Sequence, residues 1–373
     1  VKLRERDERV VAQGDEREEA TSETWSDALV ASIARGQDEL RDFRPLLAQG
    51  RPLKVVCLGG GTGLPIVLKG LARQAEPKGR HPGLDITAIV AMSDDGGSSG
   101  RLRRSRGLLP PGDVRNCLVA LADRRSELSK IFQYRFGGGK GLAGHAVGNL
   151  LIAAMTELKG DFLEAVRLSA HLLNARGTVL PSTLAHVELV AEMDNRARIV
   201  GERKLARAVG RVHRVELKPR SPPPSEGTLE AIAGADLISI GPGSVYSSIL
   251  PNLLVDGVAA ALRGTRALKV LIANLMTQPG ETDRMSCADH VRALVDHVGP
   301  VVDFVLINST PPALDAIRRY AARGALPVQV NRADLLGTGV IAIDGDVLNR
   351  GPRIRHDGRK VARCLLKLAR SGA

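Results

Sequence analysis

The sequence predicts an α/β protein, a doubly wound parallel sheet between two helix layers with a small β-rich insertion. Three observations predict it. Apolar β-branched runs such as KVVCL and DLISI show no polar alternation, as strands buried on both faces should. Each run ends in a glycine-rich turn and then a helix-period segment, the pattern of βα units. Between about residues 178 and 224 alone the period falls to two, in HVELVAEMD, ARIVGERK and VHRVELKP, and SPPPSEG closes that stretch as a stiff linker.

The elements follow in chain order. Residues 1–50 stand apart as a charged, partly helical arm carrying 8 basic and 12 acidic side chains. SETWSDALVASIARGQDELRDFRPLL sets Trp25, Leu29, Ile33 and Leu40 on one stripe. The arm nets −4 and the remaining chain, 51–373, nets +16, so the arm is expected to dock on its own basic body or on a second subunit. Lys54–Leu58 reads as a buried strand, broken by Gly59, Gly60 and Gly61. Thr62 then reads as the N-cap of a helix through Leu64, Val67 and Leu68, with Pro65 in its first turn. Glycines at a strand end beside a helix N-terminus, with Gly63 following, form an anion-binding turn. It is not a Walker loop, because Lys69 is followed by Gly70, and it fits the dinucleotide fingerprint only in part.

A second strand, Asp85–Met92, leads into SDDGGSSGRLR. Asp94 and Asp95 fall at its carboxyl end, where open α/β sheets bind ligands. One acid could hold a ribose, or the pair could hold Mg²⁺ with a phosphate. Gly96, Gly97 and Gly100 free backbone amides, Ser98 and Ser99 add hydroxyls, and Arg101 adds a cation. Helices are expected at Asp113–Ala122, His145–Lys159 and Asp161–Asn174. Asp113 reads as an N-cap, with Arg115 and Asn116 in its first turn. Gly144 precedes a helix start at which His145, Gly148 and Asn149 share a face. After the insertion, DLISIGPGSVYSS supplies a third loop, with Gly241, Gly243 and the capping Ser244. Strands at LKVLIANL and DFVLINS follow, and Asn274 opens a fourth loop in NLMTQPGETDR. Four such loops point at one crevice for a nucleotide and a second group.

The whole chain narrows the function classes. Its net charge is +12, yet only nine Phe, Tyr and Trp accompany it, few for stacking nucleic-acid bases. No apolar run approaches a membrane span and no signal-peptide core follows the charged start. The four cysteines lack paired spacing, which suits reduced thiols in a cytosol.

GGGTGL, SDDGGSSGRLR, PPGDVRN, GLAGHAVGNLL, IGPGSVYSSILPNLL and MTQPGETD, in this order, resemble the YvcK-type gluconeogenesis factors, relatives of the 2-phospho-L-lactate transferases (CofD). The likeness runs over roughly residues 53–368. It implies a cytoplasmic protein with a Rossmann-like three-layer core that binds UDP-sugars such as UDP-N-acetylglucosamine or UDP-glucose. It further implies a role in growth on gluconeogenic carbon, cell shape and cell-wall precursor supply, with homo-oligomers and a cell-wall-synthesis protein as partners. By the same resemblance Tyr320, Arg355 and His356 contact the UDP-sugar. The transferase relatives suggest the alternative: Asp94 and Asp95 near Mg²⁺ and the transferred group, Arg101 or Arg115 offsetting charge, and His145 as the best-placed general base.

Overall fold

The main sheet holds seven strands, all parallel. They are β1 (Leu53–Gly59), β2 (Leu84–Val90), β3 (Thr178–Pro181), β7 (Leu237–Ile240), β8 (Leu268–Ile272), β9 (Phe304–Asn308) and β10 (Ile341–Gly345). A separate antiparallel sheet contains β4 (Glu188–Met193), β5 (Arg198–Val200) and β6 (Val212–Lys218). This computed structural model describes residues 51–77, 82–123, 125–139 and 141–371. The arm and its Trp25 stripe therefore lie outside the described residues. Residues 50–366 form one unit; the other, 1–49 with 367–373, is described only at the end of the helix Gly358–Ser371.

Across the main sheet the order is β10-β9-β8-β7-β1-β2-β3. β1 is central: Val55 pairs with Ile86 of β2 on one side and Leu237 of β7 on the other. Of its seven residues only Lys54 is exposed, which is why its sequence is a continuous apolar run. The chain runs outward from β1 through β2 to β3, then returns to β7 and runs the other way to β10. Right-handed crossovers place the helices of the two runs on opposite faces, so a crevice opens between the ends of β1 and β7. The doubly wound fold read from the sequence is the fold observed.

Helices α1 (Leu64–Ala72), α2 (Gly97–Arg106), α3 (Gly112–Leu121), α4 (Glu127–Gln133), α5 (Val147–Lys159) and α6 (Phe162–Leu172) follow β1 and β2. Three differences from the sequence reading matter. The glycine-serine stretch after Asp95 is the first turn of α2 rather than a loop. Residues 178–181 pair with β2, so the antiparallel unit begins later than the period change suggested. β10, a half-exposed edge strand, has a weak apolar signal and was not anticipated.

The small sheet is held to the body by backbone bonds. His297 Nε2 accepts from Val215 N at 2.9 Å, and the Tyr246 hydroxyl donates to the Val212 carbonyl at 3.4 Å. Asp95 Oδ1 accepts from Arg203 N at 3.0 Å, at the start of the short helix α7 (Glu202–Leu205). Among the described residues no single helix is long and apolar enough to cross a membrane; one bent pair, Val245–Leu253 with Val258–Gly264, meets the length and composition alone. Its Val245, Ile249, Leu250, Val258 and Leu262 are buried in the core.

A mid-helix Gly→Ala change ordinarily stabilises by about 1 kcal/mol. At Gly70 of α1 the sign should reverse, because a Cβ there would lie 1.8 Å from the Gly358 carbonyl oxygen. Gly70→Ala is expected to lower stability by about 1–3 kcal/mol, read as an earlier denaturant midpoint. A raised midpoint would show that the helices part easily.

Candidate functional site

The crevice is built by loops that hold one another. A Cβ on Gly63 would sit 1.9 Å from the Pro242 carbonyl oxygen, so the loop after β1 lies directly against the loop after β7. Asn252 Nδ2 donates to the carbonyls of Gly59 at 3.1 Å and Ser248 at 2.9 Å. Asn274, from the loop after β8, accepts from Gly243 N at 3.2 Å and donates to Gly243 O at 2.8 Å. Ser244 accepts from Ser247 N at 3.3 Å as the expected cap, and both hydroxyls donate to Glu281. Gly59–Gly63, Gly241–Ser244 and Asn274 are thus brought together.

The N-termini differ in detail from the sequence reading. Gly63, not Thr62, occupies the N-cap of α1, and no side chain caps it. Thr62 is exposed, and the Leu64 side chain is fully buried in the core. Asp113 lies inside the first turn of α3, whose N-cap is Pro111. Instead of capping its own helix, Asp113 Oδ2 accepts from Gly61 N at 2.5 Å. A carboxylate of the protein therefore takes the amide that a ligand anion was expected to use.

Four carboxylates crowd this place. Burial first, then the neighbouring Asp94, pushes Asp113 up to about 6. Burial likewise raises Asp94, which accepts from Gly96 N at 2.8 Å. Glu202, from the insertion, is pushed up to about 9 by burial and then by Asp94, Asp113, Glu281 and Asp95. Burial also raises Glu281, against the lowering by Ser244 and Ser247. Asp95 diverges from Asp94 to hold Arg203 N, and a Cβ on Gly201 would lie 2.3 Å from its Oδ2. The adjacent acids thus serve different partners, and among the described residues no three His, Cys, Asp or Glu side chains converge as a metal site. Glu202 and Glu281 were missed in sequence, one inside a strand pattern and the other inside a quoted motif with no spacing to mark it.

On the other flank of α3 lie the basic residues. His145 precedes α5, whose N-cap is Ala146, so it does not share a helical face with Gly148 and Asn149. It is buried, and its Nδ1 shares a 2.9 Å hydrogen bond with Ser98 Oγ. Burial, then Arg101 and Arg135, lowers its pKa, which favours the neutral ring. Asn116 Oδ1 accepts from Arg115 at 2.5 Å. Gly148 admits Arg115 and the Phe132 carbonyl rather than a ligand. Ser99 Oγ accepts from Gly112 N at 3.1 Å, which ties the first turn of α2 to α3. Asn149 is buried, with its Oδ1 unpartnered. Gly97 and Gly144 meet no protein backbone within 4 Å of a Cβ position; only Arg101 approaches Gly144.

The residues drawn from the resemblance lie against the segment on either side of Asn274 and along α1. Tyr320 packs on the small cluster of Met276, Ala316, Leu348 and Ile354 beyond β8. Arg355 lines a cavity of about 270 Å³ with Ile66, Lys69, Gly70 and Arg73, on the side of α1. His356 is buried with Nε2 on the Ala273 carbonyl at 3.1 Å, which holds the end of β8.

A family model described as 2-phospho-L-lactate transferase CofD matches residues 55–348. The chain is 44% identical to the gluconeogenesis factor of Bacillus subtilis over 86% of this chain and 99% of that protein. It is also 44% identical to the gluconeogenesis factor of Halalkalibacterium halodurans, over 84% and 95% respectively. A crystal structure of a Bacillus halodurans protein aligns with a TM-score of 0.81 at 42% identity, covering 85% of this chain and 100% of that one.

Glu202 supplies a test of the carboxylate cluster. The folded protein holds its proton up to about pH 9, whereas an unfolded Glu releases it near about 4.3. The stability this group contributes is full below the unfolded value and drains as pH rises toward the folded one. Glu202→Gln escapes that loss. Its advantage in unfolding free energy over the wild type should widen from about pH 5 to pH 8, by up to about 1.4 kcal/mol per unit. Parallel pH profiles for the two proteins would mean that Glu202 is ionised and solvated.

Proposed function

Since the chain belongs to the CofD family and to its gluconeogenesis-factor branch, we propose that the crevice between β1 and β7 binds a nucleotide sugar, with UDP-N-acetylglucosamine or UDP-glucose as the first candidates. The bound state would link carbon supply to cell shape and cell-wall precursor formation, through a partner protein in the cytoplasm. The observation that carries this reading is the switch-point crevice with its crowded carboxylates, whose proton affinities burial raises. Asp94, Asp113 and Glu202 offer acceptors and, when protonated, donors, which suits sugar hydroxyls and the N–H of a base. The glycine loops on either side leave the backbone close to the ligand.

A transferase reading draws on the family model and on one contact, the buried Ser98–His145 hydrogen bond. A neutral His145 can accept a proton from a substrate hydroxyl. Arg101 and Arg115 would then offset charge on a leaving phosphate. Mg²⁺ bound at Asp94 would supply electrostatic stabilisation of the diphosphate.

Calorimetric titration with UDP-N-acetylglucosamine, UDP-glucose, NAD and GDP should show saturable binding of a UDP-sugar. Asn274→Ala removes the two bonds that hold the loop at Gly243 and should weaken that binding about tenfold, or about 1.4 kcal/mol. Saturable NAD binding without any UDP-sugar binding overturns the reading. Turnover of a nucleotide-diphosphate donor that disappears in Asp94→Asn would favour the transferase.

A further inference from the structure

β6 is an outer strand of the small sheet, paired to β4 alone, so its other edge presents backbone groups to the body. His297, in the last turn of the helix Cys287–Val298, takes one of them: its Nε2 lies 2.9 Å from Val215 N. Its Nδ1 lies 2.6 Å from the Ala293 carbonyl oxygen, one turn back in the same helix. An amide N–H only donates and a carbonyl only accepts, so both bonds require the neutral ring with its hydrogen on Nδ1. A second proton on Nε2 would point at the Val215 N–H and break that bond. Val215 is buried, so its amide would then lack a partner unless β6 moved.

The ring stands at a seam with room to move. A cavity of about 300 Å³ lies between the small sheet and the body, lined by Asp194, Arg211 and His213 on the insertion side. Glu281 and Asp283 line it from the loop after β8, and Asp289, Arg292 and Asp296 from the helix of His297. Burial lowers the pKa of His297 below its ordinary 6.5, Arg214 and His213 lower it further, and the Ala293 carbonyl and Asp296 oppose them. Tyr246 packs edge-on against the imidazole, with ring centroids 6.2 Å apart, and its hydroxyl donates to the Val212 carbonyl. Burial, then Asp194, Asp296 and Asp289, pushes that hydroxyl up to about 12, so it stays a donor wherever His297 titrates.

Two short routes join the seam to the crevice. Tyr246 is two residues beyond Ser244, which caps the same helix and is held by Glu281. The stretch between α7 and β6 lies against the residue before Glu281, since a Cβ on Gly280 would be 2.9 Å from the Ala208 carbonyl oxygen. We infer that this seam is a pH-sensitive latch on the crevice: neutral His297 clasps β6 to the body, and protonation of His297 frees β6 and slackens the loop at Ser244. The consequence for ligand rests on the nucleotide-sugar reading of the crevice; the latch itself does not. The clasp is complete above the unfolded value of about 6.5 and is lost as pH falls below it.

The full chain tests this between about pH 8 and about pH 5. Nitrogen-15 NMR of the His297 ring at the upper pH should show the Nδ1–H tautomer. Hydrogen exchange at the Val215 amide, corrected for the intrinsic effect of pH, should show protection falling about tenfold at the lower pH. His297→Gln keeps an acceptor that does not titrate, so its protection should stay nearly constant; His213→Gln should keep the wild-type fall. Affinity for UDP-N-acetylglucosamine should weaken more in the wild type than in His297→Gln, a comparison that subtracts the titration of the crevice carboxylates. An Nε2–H ring, wild-type protection that holds at the lower pH, or an equal fall in His297→Gln overturns the latch. The first two readings are made on the wild type and decide even if the glutamine variant does not fold. Loss of protection in a protein that takes no UDP-sugar leaves the latch standing while the proposed function falls. Equal pH dependence of affinity in both proteins, with β6 released only in the wild type, overturns the coupling to the crevice.

Discussion

The close approach of Gly63 to the carbonyl of Pro242 is the contact on which the rest of the crevice depends. It lets the loops after β1 and β7 lie against each other where the sheet reverses its winding direction. Any side chain on Gly63 would force the two loops apart. Once they touch, Asn252 can reach the Gly59 carbonyl and Asn274 can bind both backbone atoms of Gly243. Ser244 and Ser247 then meet Glu281. Rigidity at the mouth thus comes from backbone contact and side-chain amides, while the sheet beneath supplies only the direction.

The charges around this mouth are sorted by α3. One flank faces carboxylates, the other faces arginines, and Asp113 and Arg115 mark the division within a single helical turn. Segregation keeps each group in an environment that shifts its proton affinity. The acids are pushed up by burial and by one another, and Arg115 is pushed down by burial and by Arg135. Across the division Asp113 and Arg115 still act on each other, each offsetting part of the shift that burial imposes. The insertion takes part in this, because Glu202 reaches the acidic flank only while Asp95 holds the start of its short helix.

The glycines show how far local reading goes. Glycine at a strand end correctly signals that something approaches the backbone closely. It does not say whether that something is a phosphate or another segment of the same chain. At Gly63 and Gly148 the neighbour is protein, and at Gly97 the space is open. The acid pair was ambiguous in the same way, since adjacent carboxylates alternate in direction and Asp95 was free to serve a residue more than a hundred positions away.

By itself the sequence determined the inner parallel strands, many of the helices between them, the antiparallel insertion and the family motifs at the strand ends. These are written in periodicity and in residue type, which record whether a face is buried and whether a backbone must be bare. Only the tertiary structure decided which partner each functional group meets. Asp113 finds Gly61, Glu202 joins Asp94, and Arg135 stands beside Arg115 because crossovers and the insertion bring distant segments together. Local patterns carry no record of those meetings, for a charged side chain is equally soluble whether it later faces water, a carboxylate or another arginine.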